Sequence, residues 1–141
     1  MKQDVINVLN VIGVNVIKRR NKMLENQLYK YKAIVTKVYD GDTCTLNIDL
    51  GLHIWIYGEN VRLARINAKE VRGEERPDGL LARDFLSTLI LNKEIYIETI
   101  KDTTEKYGRY LVEIILIKED GTELNVNDYL VENNYAEYKA Y

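Results

Sequence analysis

The sequence predicts a mainly β fold with helices (α+β): a small closed barrel of five strands, one inserted helix, and an extra helix at the N-terminus. Three observations predict it. Alternation of apolar and polar residues with a period of two begins at Tyr31 and recurs in five segments. One stretch of helical spacing, Leu80 to Ile90, separates the third segment from the fourth. Another apolar stretch of helical spacing precedes them all, within residues 4–28.

In that first stretch Val5, Leu9, Ile12 and Val16 recur at helical spacing and Lys18, Arg19, Arg20 and Lys22 follow. It reads as an amphipathic docking or self-association helix, and the many β-branched residues weaken it. From Tyr31, Ala33 and Val35 alternate with Ile34 and Thr36 to make a first strand, and Asp40-Gly41-Asp42 supplies a turn. Thr43–Leu50 is a second strand with Cys44, Leu46 and Ile48 on one face. His53–Tyr57 and Asn60–Ile66 form a third strand, interrupted by a bulge or bend at Gly58-Glu59. Pro77 fits the first turn of a helix whose apolar stripe is Leu80, Leu81, Phe85, Leu86, Leu89 and Ile90. Glu94–Ile100 and Arg109–Ile117 are strands joined by the polar connection Lys101–Gly108, and a short helix is expected near Asn127–Asn133. Five strands with an inserted helix outline an OB-fold barrel. Two units are expected: an N-terminal helical extension over 1–30 and the barrel over 31–141.

Composition narrows the chemistry. The 141 residues suit one domain with a core, and 46% apolar with 30% charged residues is an ordinary globular balance. A single cysteine, Cys44, excludes an internal disulfide, and the single histidine, His53, makes no zinc-site spacing with it. Net charge is −2, unevenly spread: residues 1–30 hold six basic and two acidic residues, leaving fourteen and twenty for the rest. An acidic body still binds phosphate where a cation and a few placed arginines set the local field. The apolar run Val5–Ile17 spans 13 residues and is broken by Asn7, Asn10 and Asn15, too short and polar for a membrane span. No membrane partner and no convincing signal peptide are expected, which makes a cytoplasmic location the default.

Three clusters carry possible chemistry. Asp40-Gly41-Asp42-Thr43 puts two carboxylates in one tight turn, which suits a hard cation such as Ca²⁺ or Mg²⁺ and equally suits a plain hairpin. Arg62, inside a strand, has a planar fork that matches phosphate, and Glu70, just past the strand end, is placed to take a proton or order a water. The same segment reads equally as a solvated strand edge, and Arg65 within it is assigned only a surface or ion-pair role. Lys106-Tyr107-Gly108-Arg109 offers a second guanidinium beside a tyrosine ring, although Tyr-Gly is also a common turn.

At these clusters the chain resembles the thermonuclease (micrococcal or staphylococcal nuclease-like) family, whose hallmarks are a DGDT turn, an R-x₄-D-T/A-P-E stretch and a KYGR stretch. They stand here as Asp40–Thr43, Arg62 through Asn67-Ala68-Lys69-Glu70, and Lys106–Arg109, and the resemblance covers about residues 31–138. It implies a nuclease acting on DNA or RNA with little sequence preference, cleaving the 5′-O–P bond and leaving 3′-phosphates. Asp42 is then a direct Ca²⁺ ligand, with Asp40 nearby holding metal-bound water. Position 67 is the second metal ligand and the Ala68 backbone carbonyl the third. Glu70 activates the attacking water, Arg62 and Arg109 hold the scissile phosphate, and Lys106 and Tyr107 lie beside the nucleotide.

Two residues depart from the family pattern. Asn67 stands where an aspartate is expected, keeping an oxygen and losing a charge, which lowers the expected Ca²⁺ affinity. Lys69 replaces the usual proline and loosens the loop that carries Glu70. The competing expectation is a catalytically inactive OB module that binds nucleic acid or a protein partner. The N-terminal helix is expected to pack where relatives carry a further C-terminal helix.

Overall fold

The computed structural model describes residues 2–104 and 107–140, with the side chains of 2–6, 9 and 101–104 left aside. A long helix α1 (Lys2–Glu25) leads into strand β1 (Lys30–Asp40), followed by β2 (Thr43–Asp49), β3 (Trp55–Leu63) and a short β4 (Ile66–Ala68). After a 3-10 turn at Gly73–Glu75 come helix α2 (Arg76–Ile90), β5 (Glu94–Thr104), β6 (Tyr110–Ile117), β7 (Glu123–Asn125), α3 (Val126–Glu132) and β8 (Ala136–Tyr138).

The strands pair in the order β3-β2-β1-β5-β6, and β3 also pairs with β6, which closes five strands into a barrel. All these pairings are antiparallel except the closing one, where Val61, Arg62 and Leu63 run parallel to Tyr110, Leu111 and Val112. Closure leaves these five strands little free edge. The predicted OB-fold barrel with its inserted helix is therefore the observed architecture.

Alternation builds the core. Ala33 and Val35 of β1, Cys44, Leu46 and Ile48 of β2, and Ile95 and Ile97 of β5 are buried, while their sequence neighbours, Thr43 at the cleft excepted, face outward or lie half-exposed. Helix α2 closes one end with Leu86 and Ile90, and α3 adds Val126 and Leu130. Phe85 stacks on Tyr135 with ring centroids 4.2 Å apart, tying α2 to the C-terminal segment. At the start of α3, the Asn125 side chain accepts the Asp128 N–H at 3.0 Å, the usual N-cap bond. Asn127 is fully buried and bonded on both sides of its amide: Oδ1 accepts from Ile114 N, and Nδ2 donates to Ala64 O and Val112 O.

Several element expectations are corrected. The bend expected at Gly58-Glu59 is present, with Gly58 at φ +71 and a register shift against β2, but the strand spans only Trp55–Leu63 and His53 lies in the preceding turn. Ile66 belongs to a separate strand, because the chain turns at Ala64-Arg65 and pairs β4 with β8 instead of extending β3. Strand β5 runs on to Thr104, into the expected polar connection. Leu81 of the expected apolar stripe is 60% exposed; Gly79 and Ala82 are buried in its place. The small residues face inward because neighbouring backbone approaches α2 closely there.

Helix α1 covers most of the predicted span, and its described side chains do not take up the expected packing role. Every described side chain along it is exposed, Val11 and Ile17 by about 60%. No helix among the described residues is long and apolar enough to cross a membrane. Thermal melts check this division of labour. Removing residues 1–25 leaves the melting temperature of the barrel unchanged, whereas Leu86→Ala, which opens a core void, destabilises it by about 2–5 kcal/mol.

Candidate active-site cleft

The cleft forms at the rim where β3 and β6 close the barrel. Its volume is about 1150 Å³, and Asp40, Asp42, Arg62, Asn67, Glu70 and Arg109 are among its lining residues. Of the sequence-predicted site residues, these six and Tyr107 share the one cleft. Ala68 lies immediately behind it, and Lys106 falls outside the described residues.

The turn between β1 and β2 is its foundation. Asp40 Oδ1 accepts the Asp42 N–H at 3.0 Å, an Asx-type bond that tightens the turn. Gly41 is required by packing: a Cβ there would lie 2.7 Å from Ala68 Cβ and 2.8 Å from Ala82 Cβ. The three small residues let the turn, β4 and α2 meet.

Asp42 is 5% exposed and both its carboxylate oxygens are engaged. Oδ1 accepts from Thr43 Oγ1 at 3.1 Å. Oδ2 accepts from Ala68 N at 2.8 Å and forms an ion pair with Arg62 NH1 at 2.6 Å. Arg62 is 8% exposed, and its NH2 donates to Asn67 Oδ1 at 3.1 Å. The cost of a buried arginine in a strand is thus met by a carboxylate, and the anion is the protein's own. On the other side, Arg109 NH1 donates to Thr43 Oγ1 at 3.1 Å and its guanidinium lies 5.4 Å from the Tyr107 ring centroid. Gly108 takes a φ of +80 between them, which turns the chain so that both groups face the cleft. An unbroken hydrogen-bonded chain therefore runs Arg62–Asp42–Thr43–Arg109.

Glu70 stands at the outer edge with a side chain 57% exposed, its carboxylate 4.0 Å from Arg72 Nε. Arg65 has the ion-pair role expected of it. It sits at φ +67 in the turn between β3 and β4 and is held by Glu113 and by Asp128, the latter at 3.0 Å. That anchorage fixes the turn delivering Asn67 and Ala68.

For a cation, the cleft is lined by the oxygens of the Asp40 and Asp42 carboxylates and of the Asn67 amide, the donor type taken by Ca²⁺. Among the described residues no three His, Cys, Asp or Glu side chains are grouped to hold a metal ion, so the charge rests on the Asp40–Asp42 pair. Sequence reading missed Thr43 as the relay to Arg109, and Gly79 and Glu75 beside Glu70. A glycine inside a helix was the available signal for the second of these, since it costs about 1 kcal/mol unless packing needs it.

Burial, reinforced by the hydrogen bond and charge of Asp42, pushes the Asp40 carboxyl up to about 7. The folded chain thus holds this proton more tightly than the unfolded chain, whose Asp titrates near 3.8. The group's contribution to stability is greatest below that value and is lost as pH rises to about 7. Asp40→Asn mimics the protonated form, so in chelator its melting temperature exceeds that of the parent chain by a margin that widens between pH 4 and pH 8. Parallel pH profiles for the two proteins would contradict this assignment.

The staphylococcal nuclease homologue family model matches residues 60–141. The match begins inside β3, so the Asp40–Thr43 turn joins the site through contacts that span the sequence, such as Ala68 N to Asp42 Oδ2. No curated protein sequence matches the chain. With more than half its length matched by the model, the chain belongs to the staphylococcal nuclease homologue family.

Proposed function

We propose that the protein is a Ca²⁺-dependent endonuclease that hydrolyses DNA or RNA with low sequence preference and leaves 3′-phosphates. The observation that carries this reading is the hydrogen-bonded chain from Arg62 through Asp42 and Thr43 to Arg109, which ties two guanidiniums and a carboxylate to one cleft. Family membership supports nuclease chemistry as the reaction class.

Asp42, the Asn67 amide oxygen and the Ala68 carbonyl would hold Ca²⁺, with Asp40 behind them, and the ion would supply positive charge beside the phosphate. Arg62 and Arg109 bind the scissile phosphate and neutralise the charge that grows as water adds to phosphorus. Glu70, exposed at the cleft edge, takes the proton of the attacking water. The O–P bond to the leaving 5′-oxygen breaks as the new O–P bond forms, and that oxygen leaves with a proton from solvent. Tyr107 presents a ring face to a base or sugar, and Lys106 adds charge beside the nucleotide. Residues 4–28 act apart from this chemistry, as a docking or self-association arm.

A second reading, an inactive OB module that binds nucleic acid or a protein partner, is favoured by one observation. Arg62, the arginine proposed to bind the phosphate, is already engaged by Asp42 and Asn67.

Single-stranded DNA incubated with the protein in Ca²⁺, in chelator, and with Glu70→Gln separates the two. Degradation occurs in the first tube only. Binding without degradation in all three would establish the inactive module instead. Arg109→Ala, which keeps the Arg62–Asp42 ion pair, lowers the rate by roughly 10²–10³-fold. Asn67→Asp restores a second carboxylate, and titration of activity then reaches half-maximum at a lower Ca²⁺ concentration than in the parent chain.

A further inference from the structure

The segment Lys69–Val71 carries Glu70 and contains no proline. Lys69 leaves φ free, and Glu70 itself is exposed, so nothing within these three residues fixes the carboxylate. The 3-10 turn before α2 and the start of α2 do so from outside. Glu75 Oε2 accepts the Glu70 backbone N–H at 2.9 Å. Glu75 Oε1 lies 3.8 Å from Lys69 Nζ, so one carboxylate engages both residues. Arg76 NH1 donates to Val71 O at 2.7 Å, holding the other end of the segment. Gly79, one helical turn on, meets the same peptide: a Cβ there would lie 2.0 Å from Glu70 O and 2.4 Å from Glu70 C. Backbone contact that close excludes any side chain at position 79, because no flexible atom is available to move.

We infer that Glu75 and Gly79 are positioning residues for Glu70, the Glu75 clamp supplying the restraint that the Lys69 backbone does not. The inference rests on the proposed role of Glu70. Glu75 touches no substrate; it acts through the Glu70 N–H and through Lys69. The segment's N–H is the group Glu75 grips, which leaves the carboxylate of Glu70 to the cleft edge and to Arg72, 4.0 Å away. Gly79 sets the depth at which the segment seats on α2, and Glu75 sets its lateral position.

The test is steady-state cleavage of single-stranded DNA in Ca²⁺ by the full chain and its variants, with melting temperatures measured alongside. Glu75→Ala lowers kcat roughly ten- to hundredfold with KM nearly unchanged, the scale expected when a catalytic group shifts by about 1 Å. Glu75→Gln, whose amide oxygen still accepts the Glu70 N–H, retains most of the rate. Glu74→Ala, in the same 3-10 turn, leaves the rate unchanged. The decisive variant is Lys69→Pro in the Glu75→Ala background, which recovers most of the lost kcat because the proline supplies the missing restraint. In a Glu70→Gln background, Glu75→Ala has no further effect on the residual rate.

Glu75→Ala with unaltered kcat overturns the inference, and so does a loss of kcat that tracks a fall in melting temperature and is not recovered by Lys69→Pro. Glu70→Gln as active as the parent chain overturns the role of Glu70 itself, and with it the inference. Gly79→Ala is the harsher probe and is read only beside Glu75→Ala: a fold that survives with normal kcat counts against the seating.

Discussion

The buried carboxylate of Asp42 is the point on which the site depends. Its oxygens receive Thr43 from its own turn, Ala68 from β4 and Arg62 from β3. Through Thr43 it also reaches Arg109, just before β6. The turn after β1, strands β3 and β4, and the segment before β6 are thereby held to one group. Taking two charges out of water costs several kcal/mol per ion, which the direct ion pair and the added hydrogen bonds to Thr43, Ala68 and Asn67 offset. No buried side-chain nitrogen or oxygen among the described residues lacks a hydrogen bond. Barrel closure makes this possible. The parallel pairing of β3 with β6 sets Arg62 opposite Leu111, so the arginine just before β6 emerges at the same rim.

Helix α2 is the second constraint, and it works by close approach rather than by charge. Its buried face begins with Gly79 and Ala82, which admit the Glu70 backbone and the Gly41 turn, and continues with Leu86 and Ile90, which fill the barrel end. One helix thus seals the core with its C-terminal half and supports two parts of the cleft with its N-terminal half. Large residues at its early inward positions would push the turn and the Glu70 segment away. The helix interior tolerates glycine here because the backbone contact requires it.

Much of this was legible in the sequence, for identifiable reasons. Strands β1, β2 and β5 alternate cleanly because one face packs inward and the other meets water, so their pattern reports their place directly. The clusters Asp40–Thr43 and Arg62–Glu70 were legible because turn chemistry and a charged residue in a strand are local signals. What was hidden depends on partners far along the chain. Ile66 looked like a continuation of β3 because its apolarity fits; the turn at Arg65 is set by Glu113 and Asp128, which no local window contains. The short strands β4, β7 and β8 have three residues each, too few for periodicity to register. Leu81 fitted a helical stripe, yet the inward face was taken by smaller neighbours for steric reasons that only the packed structure supplies.

Asn67 gains a meaning from the structure that its sequence position lacks. Arg62 is bonded at once to Asp42 and to the Asn67 amide oxygen. A neutral acceptor at position 67 lets one guanidinium balance the single buried carboxylate it touches, so the ion pair is complete without further positive charge. An aspartate there would put a second carboxylate on the same arginine, beside Asp42 and an Asp40 already reluctant to ionise. Such a site would require an additional cation to be stable; the asparagine removes that requirement. Under the proposed reading the consequence is competition. An arriving phosphate has to draw Arg62 donors from Asp42 and Asn67, and this exchange is favourable only where other positive charge takes over at Asp42. The residue that lowers the demand for a cation at rest therefore makes productive use of Arg62 more dependent on one.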